Sequence, residues 1–284
     1  MVKLATLGSM GWIPTRNRHT CCYCLEYGNK LIILDAGTGI ARFDEPWAQK
    51  ILQHYHKAYV ILSHYHLDHA AGLIYLPHFF KDKEVHIAGP GQSIYGQRVT
   101  DILSRLIAPP YFGRPLLDFP MNLTLHELVI GANIIDNIRI DTILQEHNDP
   151  SIGIKIDNTV CYITDTACNQ QTVDFVRGCK LLLHETWFDI QDYNTIIREG
   201  KSSPDAMKPL KSHSPVNRVA EIARDASVET LMLIHLNPVY DEKRLSAMEK
   251  AAKEIFPNSQ LAVDGQYFIL AAKEREEKKV RSRK

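Results

Sequence analysis

Short runs of apolar, branched residues alternate in this chain with longer stretches whose apolar positions recur every three or four residues. The first kind is typical of buried strands and the second of helices that cover a core. Strands are predicted over residues 2–8, 31–35, 58–62, 85–88, 122–128, 132–135, 138–144, 151–156, 159–164, 180–183, 230–234, 261–263 and 267–270. A further strand is predicted to follow residues 18–22 and to end at residue 27. Helices are predicted over residues 45–56, 70–80, 92–106, 169–177, 215–226 and 241–256.

Glycine, proline and small polar residues mark the breaks between these elements. Asp264 and Gly265 predict a turn that joins the last two strands into a hairpin. Ser214 fits a helix N-cap, with Pro215 as the first helical residue. Residues 199–213, rich in charge and proline, are predicted to form a loop.

Residues 108–115 contain three prolines and two adjacent aromatic residues, Tyr111 and Phe112. Proline cannot continue a helix, so this segment is predicted to be a stiff loop that presents both rings. The rings could stack on a substrate or pair with another subunit. The alternative is that they fill a local core.

The strongest chemical signal follows the buried strand at residues 58–62. His64, His66, Asp68 and His69 lie within six residues, in a tight turn before a predicted helix. A single histidine is usually only a satisfied polar residue, but four potential ligands so close together are hard to explain that way. Imidazole and carboxylate groups together suit zinc, manganese or iron, so the sequence predicts a metal site here.

The spacing His-x-His-x-Asp-His resembles the signature of the metallo-β-lactamase superfamily. The resemblance implies that His64 and His66 bind a first metal ion, while Asp68 and His69 lie towards a second. It implies two divalent ions, with Zn²⁺ expected and Mn²⁺ as an alternative.

The remaining ligands implied by this resemblance lie far apart in the sequence. His147, after a predicted strand, resembles the third histidine, and Asp165, after the next hairpin, resembles the bridging carboxylate. His235 resembles the last ligand of the second metal. Asp35 belongs to an Asp-x-Gly segment and is expected to support the site rather than bind metal.

Three later motifs, at residues 183–186, 212–214 and 234–238, resemble the ribonuclease Z-like branch of the superfamily. That branch includes transfer-RNA 3′-processing nucleases and cyclic-nucleotide phosphodiesterases. The resemblance covers about residues 2–270. It implies an α/β fold, an αββα sandwich of two mixed sheets with outer helices.

One domain is expected over residues 1–272, followed by a basic tail over 273–284 that is predicted to be disordered. The tail carries a net charge of +4 and the rest of the chain −4. A body of that charge is a poor match to a long polyanion. A nucleic-acid partner is therefore unexpected, although the tail leaves the option open.

The resemblance also implies a mechanism in which two metal ions activate a shared water and the hydroxide attacks phosphorus. Asp68 would orient that water as well as bind metal. His213 is expected to protonate the leaving group or hold a phosphate oxygen, unless it only caps a helix. Glu185 is expected to orient His213.

His147 and Asp165 are only 18 residues apart, which leaves no room for the basic arm that long-studied bacterial transfer-RNA nucleases carry there. The sequence therefore predicts a small phosphodiester substrate, a 3′,5′-cyclic mononucleotide, and a homodimer. The alternatives are a transfer-RNA 3′-processing endonuclease, an arylsulfatase or lactonase on the same scaffold, and a partner subunit without activity.

The six cysteines include no C-x-x-C pair, so free thiols in a reducing cytoplasm are expected. A structural zinc on Cys21, Cys22 and Cys24 is an alternative that lacks a fourth ligand. No apolar run has the length of a membrane span, and no signal peptide is expected.

Overall fold

The computed structural model describes residues 2–270, and it consists of two sheets packed face to face with helices outside them. This confirms the predicted αββα sandwich. The predicted tail at residues 273–284 lies outside the described residues. Not one of the described helices combines the length and apolar character needed to cross a bilayer.

The first sheet has the strand order β14-β1-β2-β3-β4-β5-β6. Its strands are β1 (Val2–Gly8), β2 (Cys22–Tyr27), β3 (Lys30–Leu34), β4 (Lys57–Ile61), β5 (Glu84–Pro90), β6 (Asn122–Leu128) and β14 (Tyr267–Leu270). The second sheet has the order β13-β12-β11-β10-β9-β8-β7. Its strands are β7 (Gly131–Ile135), β8 (Ile138–Gln145), β9 (Ser151–Ile156), β10 (Val160–Ile163), β11 (Leu181–Glu185), β12 (Thr230–Ile234) and β13 (Ser259–Leu261).

Helices cover the outer face of each sheet. The α-helices are α1 (Pro46–Gln53), α2 (Leu67–Ala70), α3 (Leu76–Phe79), α4 (Gln92–Tyr95), α5 (Val99–Leu106), α6 (Gln170–Val176), α7 (Ile190–Gly200), α8 (Val216–Asp225) and α9 (Glu242–Ile255). Short 3₁₀ helices lie at Thr38–Asp44, Ala71–Tyr75, Leu116–Asp118 and Pro204–Lys211. Separate apolar clusters lie under the helices of the first and second sheets, and a third fills the space between the sheets.

The direction of the strands determines which loops lie close together at an edge of the sandwich. β3 to β6 run parallel to one another in the first sheet, and β10 to β13 do so in the second. β8 runs the same way as β10, because each is antiparallel to β9. The loops that follow β4, β8, β10, β11 and β12 therefore meet at one edge of the sandwich.

The predicted final hairpin is wrong. β13 pairs in parallel with β12, whereas β14 pairs antiparallel with β1 in the other sheet. The Asp264-Gly265 turn, with Gly265 at a φ of +82°, carries the chain from one sheet to the other. Turn chemistry identifies the change of direction but not the pairing partners, because β14 pairs with a strand at the opposite end of the described chain and β13 pairs with the strand that precedes α9.

Two predicted helices are interrupted in the structure. Gly72 packs so closely on the 3₁₀ segment before α1 that an added Cβ would lie 2.1 Å from Gly37 O, and the stretch at 70–80 breaks into short helices around it. The stretch at 92–106 breaks at Gly96, whose φ is +66°. Glycine adopts this left-handed conformation easily, which favours a helix end.

The region between β11 and α8 also differs from expectation. Residues 190–200 form α7, capped by Asp189, and residues 204–211 form a 3₁₀ helix, so the predicted loop over 199–213 is largely helical. Ser214 does not cap α8. Its hydroxyl donates a hydrogen bond of 2.7 Å to Thr166 O, and Pro215 stands at the N-cap instead.

Candidate active site

Seven side chains converge at the edge where the parallel strands end. Four follow β4, and one each follows β8, β10 and β12. They are His64, His66, Asp68, His69, His147, Asp165 and His235. The structure therefore brings together every residue predicted to bind metal, although these residues come from four separate loops.

Two groups of potential ligands share one carboxylate. The first group is His64, His66, His147 and Asp165, whose ligand atoms all lie within 4.8 Å of one another. On the other side, Asp165 Oδ2 lies 3.0 Å from His69 Nε2 and 3.2 Å from His235 Nε2. Asp68 Oδ2 lies 3.3 Å from each of the same two nitrogens. This is the arrangement expected of a bridging carboxylate between two metal positions.

Hydrogen bonds behind the histidines fix which ring nitrogen faces the site. His64 Nδ1 lies 3.0 Å from Ser63 Oγ, His69 Nδ1 lies 2.6 Å from Asp35 Oδ2, and His147 Nδ1 lies 3.2 Å from Ser212 O. The Nε2 atoms of His64 and His147 are buried and have no hydrogen-bond partner among residues 2–270. A buried nitrogen without a hydrogen-bond partner destabilises the fold unless it binds a metal ion.

His66 differs from the other ligand candidates. Its side chain is 40% exposed, and its Nε2 lies 2.9 Å from Asp149 Oδ2 at the mouth of the site. A metal ion in the first group would compete with this carboxylate for the same nitrogen.

Asp35 supports the site from below. Its carboxylate accepts hydrogen bonds from Ser63 N and Ser63 Oγ, both at 2.7 Å, and from Tyr162 Oη at 2.6 Å. With His69 Nδ1 as a further neighbour, its oxygens are fully engaged. Asp35 is therefore a structural carboxylate, the role expected from the sequence.

The carboxylates are held in their ionised form. Burial opposes the ionisation of Asp165, but the nearby His235 and His69 outweigh it and hold the pKa well below its usual range. Burial also opposes the ionisation of Asp68, but His69 and His235 outweigh it and lower the pKa of this carboxyl. Both side chains therefore present negative charge to the space between the histidines.

The histidines divide into two electrostatic classes. Burial would lower the pKa of His69 and His235, but the surrounding carboxylates, Asp165 foremost for His235 and Asp68 for His69, raise it well above its ordinary value. For His64 and His147, burial dominates and lowers the pKa. His64 and His147 thus offer neutral imidazole, which is the form that binds metal. The carboxylates around His69 and His235 favour positive charge there, and a bound dication would supply that charge instead.

These observations together fit a pair of divalent ions. Imidazole nitrogens, a shared carboxylate and supporting hydrogen bonds behind the rings are the features of a zinc or manganese centre. Residues 2–270 thus include groups that could hold metal ions.

His213 and Glu185 form a second layer beside the metal groups. His213 Nδ1 lies 2.9 Å from Glu185 Oε2, and Glu185 Oε1 accepts a hydrogen bond of 2.5 Å from Thr166 N. Burial opposes the ionisation of Glu185, but His213 outweighs it and lowers the pKa. Trp187 stacks on the imidazole of His213, with ring centroids 4.6 Å apart. Glu185 thus lies where it could position His213, and that role stays a prediction. The ligand atoms of His213, Asp165 and His235 lie within 4.8 Å of one another, so the imidazole faces the metal groups.

The sequence did not point to Gly11 and Trp12, yet both border the site. A Cβ on Gly11 would lie 2.4 Å from His235 Cε1, so only glycine lets the imidazole sit where it does. Trp12 donates a hydrogen bond of 2.7 Å from its backbone N–H to Asp68 Oδ2. Nothing in the local pattern of Gly11-Trp12 signals these contacts, which arise only when β1 and β12 are brought together.

The converging loops enclose a cavity of about 210 Å³. Its walls are formed by Trp12, His66, Asp68, His147, Asn148, Asp165, Trp187, His213 and His235. The cavity contains ionised carboxylates, imidazoles and two indole rings, and it opens to solvent. Such a site can accept a small anionic group next to a flat apolar one.

The two aromatic residues predicted to bind substrate lie elsewhere. Tyr111 is 83% exposed and does not line the cavity. Phe112 packs on Phe119, with ring centroids 5.8 Å apart, as part of the local core. Within one chain, Phe112 thus takes the alternative role of filling a core. A role for Tyr111 at the site of a second copy stays a prediction.

Cys21, Cys22 and Cys24 do not come together in one cluster. Cys22 and Cys24 point into the core under the helices of the first sheet, whereas Cys21 lies beneath His69 and His235. Burial raises the pKa of the Cys21 thiol to about 12, and this thiol donates to Met10 O. The alternation of side chains in β2 separates the three thiols, so they do not form the three-cysteine zinc site considered from the sequence.

Comparison with known families gives a match over most of the chain. The family model described as the beta-lactamase superfamily domain matches residues 30–236. This span contains all seven candidate ligands.

Some curated relatives are similar over nearly their whole length, and others over about a third of it. The ribonuclease Z of Methanopyrus kandleri is 25% identical over 299 residues, covering 91% of this chain and 94% of the relative. That of Archaeoglobus fulgidus is 22% identical over 312 residues, covering 93% and 96%. A ribonuclease Z of Saccharolobus solfataricus is 34% identical, but over only 41% of this chain and 35% of the relative.

Solved structures share the fold. The metallo-beta-lactamase fold protein YhfI from Bacillus subtilis superimposes with a TM-score of 0.70 at 20% identity, covering 94% of this chain and 98% of that one. The short form of human tRNase Z gives 0.68 at 15% identity, covering 95% and 100%. Yeast PDE1 gives 0.65 at 13% identity, covering 95% and 99%.

Proposed function

This chain belongs to the beta-lactamase superfamily, and we propose that it is a metal-dependent hydrolase of phosphodiesters. The observation that carries the proposal is the pair of ligand groups that share Asp165, with His213 beside them. A dinuclear site next to a positioned imidazole suits the in-line displacement of an alkoxide from phosphorus.

In this proposal His64, His66, His147 and Asp165 hold one ion, and Asp68, His69, Asp165 and His235 hold the other. Two divalent ions, Zn²⁺ or Mn²⁺, would supply activation of water and stabilisation of charge on the phosphoryl oxygens.

The remaining chemistry belongs to the side chains around the ions. Asp68 is fixed by the Trp12 backbone N–H and is placed to orient the attacking water as well as bind metal. His213 donates a proton from Nε2 to the leaving oxygen, because Glu185 occupies its Nδ1. Glu185 keeps the imidazole in that orientation.

Of the candidate substrates, we put a precursor transfer RNA first, which would be processed at its 3′ end. The curated relatives that align with more than nine-tenths of this chain are named ribonuclease Z. They support the endonuclease better than the cyclic mononucleotide that the sequence alone favours.

A small phosphodiester is the second candidate, and one observation favours it. The segment between His147 and Asp165 is filled by β9 and β10 and the turn that joins them. It holds no arm that could grip an RNA away from the site. A 3′,5′-cyclic mononucleotide would need no such arm.

The experiment compares three substrates with the protein loaded with Zn²⁺ or with Mn²⁺. These are a precursor transfer RNA with a 3′ trailer, a 3′,5′-cyclic mononucleotide and bis(p-nitrophenyl) phosphate. We expect hydrolysis of the nitrophenyl ester and the largest kcat/KM on the RNA, with cleavage at the 3′ end of the transfer-RNA body. A larger kcat/KM on the cyclic mononucleotide would select the second candidate, and no hydrolysis of any diester would reject the proposal.

The predicted homodimer belongs to the same proposal. Tyr111, exposed on the proline-rich loop, would contribute to the neighbouring copy's site across a two-fold axis. Sedimentation of the wild type should give twice the mass of 32.3 kDa. Tyr111→Ala should then raise KM more than it lowers kcat.

A further inference from the structure

A large apolar side chain stands exposed at the rim of the site. Trp12 lines the cavity, yet its side chain is 62% exposed. Two apolar side chains adjacent in sequence to residues of the cavity wall are exposed too: Ile13, which follows Trp12, is 45% exposed, and Leu67, which precedes Asp68, is 62% exposed. Indole exposed to water contributes little to folding, so its presence beside a charged site calls for another explanation.

The backbone holds Trp12 in an unfavourable conformation. Its φ is +59°, in the left-handed region that residues other than glycine rarely occupy. Gly11 N donates to Leu236 O at 3.0 Å, and Trp12 N donates to Asp68 Oδ2 at 2.7 Å. These bonds anchor the loop to β12 and to the metal-binding loop. A strained residue held so firmly beside a reactive site is typical of a position with a function.

The two indoles of the cavity are in different states. Trp187 already stacks on His213, so one of its faces is occupied. Trp12 has no aromatic ring or cation stacked on it among residues 2–270. Of the two, Trp12 is the one free to take a flat partner from outside the chain.

The position of Trp12 limits what that partner can be. Its backbone is one hydrogen bond away from Asp68, a residue that also lies beside His69 and His235. A group stacked on the indole would therefore be attached close to a phosphorus atom bound between the ligand groups. An exposed indole face beside the ionised Asp68 suits a flat, uncharged ring better than a second phosphate.

We propose that Trp12 determines substrate specificity by stacking on a nucleobase next to the scissile phosphodiester. This inference rests on the proposed phosphodiesterase function and names the group that the site recognises. Base stacking on an aromatic side chain stabilises a complex by about 1–3 kcal/mol and tolerates any base, because every base has a π-face. Such stacking on Trp12 would bind the base of an RNA end and the base of a mononucleotide equally.

The kinetic test uses two diesters with the same leaving group, thymidine 5′-(p-nitrophenyl phosphate) and methyl p-nitrophenyl phosphate. Trp12→Leu keeps apolar bulk and removes the π-face, whereas Trp12→Phe keeps an aromatic ring. We expect Trp12→Leu to raise KM for the thymidine ester about 5- to 150-fold, the range that follows from the stacking energy. The change in kcat should be small, and the loss on the methyl ester should be at least about fivefold smaller.

Trp12→Phe should restore most of the affinity for the thymidine ester. Equal losses on both esters would overturn the inference, because Trp12 would then act only through its contact with Asp68. Identical behaviour of Trp12→Phe and Trp12→Leu would overturn it as well, since the aromatic ring would make no difference.

A binding experiment separates this inference from the proposed activity. Thymidine 5′-monophosphate should quench the intrinsic fluorescence of the wild type, whereas deoxyribose 5-phosphate should not. The quenching should be lost in Trp12→Leu and kept in Trp47→Phe, which removes an indole distant from the cavity. A wild-type Kd for the nucleotide in Trp12→Leu would overturn the inference even if no diester is hydrolysed. A protein that binds the nucleotide through Trp12 but hydrolyses no diester would instead refute the proposed function.

Discussion

The position of a single imidazole depends on a residue with no side chain. Gly11 packs against His235 so closely that any Cβ would overlap the ring. His235 is the only histidine that β12 contributes to the second ligand group. The contact between Gly11 and His235 therefore controls whether that group can be completed.

Gly11→Ala should displace His235 and empty the second metal position. We expect the purified variant to hold about one metal ion per chain fewer than the wild type, and its phosphodiesterase activity to fall at least about tenfold, as happens when the surroundings of a metal ligand are disturbed. Metal analysis by mass spectrometry measures the first effect. Gly113→Ala is the matched control for metal content, because a Cβ there meets nothing within 4 Å.

His213 is predicted to act as an acid and not as a ligand. His213→Ala should lower kcat about 10²- to 10⁴-fold, the usual range for general acid catalysis, and leave the metal content unchanged. Glu185→Gln should cause a smaller loss of kcat, because the amide can still accept a hydrogen bond from His213 Nδ1 but holds the imidazole less firmly. Loss of metal from His213→Ala would instead identify it as a ligand.

At this scale the sequence reveals ligands better than it reveals their surroundings. Four ligand candidates lie together after β4, and the other three follow strands that apolar patterning identifies. Trp12 and Gly11 escape sequence reasoning because their roles depend on contacts with Asp68 and His235, which are 56 or more residues away.

At the scale of elements, the site is a consequence of parallel strands. Loops from both sheets meet because their strands end at the same edge. Periodicity predicted nearly all of these strands within one or two residues. It could not predict that β13 and β14 belong to different sheets, since pairing is decided by which edges are free. It also missed α7, where charged residues on the exposed face conceal the helical pattern.

One buried histidine in β11 gives the sheet a pH-dependent stability. His184 is fully buried, its Nδ1 lies 2.8 Å from Glu185 O, and burial lowers its pKa below the ordinary 6.5. In the unfolded chain the imidazole takes up a proton near pH 6.5, whereas in the folded chain its lowered pKa delays protonation to a lower pH. Its contribution to stability is therefore present above pH 6.5 and is lost as the pH falls below it.

The measurement is urea unfolding of wild type and His184→Phe between pH 7.5 and 5. Below pH 6.5 the free energy of unfolding of the wild type should fall more steeply, by up to about 1.4 kcal/mol per pH unit. The difference between the two proteins isolates His184 from the other histidines, which both contain. Parallel curves would show that His184 is charged in the folded state.

At the scale of the whole molecule, the sandwich provides a rigid frame and the loops at one edge provide the chemistry. The cluster between the sheets holds β4 and β10 to β12 in fixed relation, so packing of the core itself places ligands from distant parts of the chain close together. Such preorganisation lets a site bind two ions without paying for the ordering of its loops.

The central claim is that two ions held through Asp165 carry out phosphodiester hydrolysis. The most direct test is to strip the protein with a chelator and follow the hydrolysis of bis(p-nitrophenyl) phosphate while Zn²⁺ is added back. Activity should be absent at first and reach a plateau near two ions per chain. Asp165→Ala should stay inactive throughout, while Asp205→Ala, which alters an exposed carboxylate that does not line the cavity, should follow the wild type. Full activity in the stripped protein, or in Asp165→Ala, would contradict the account.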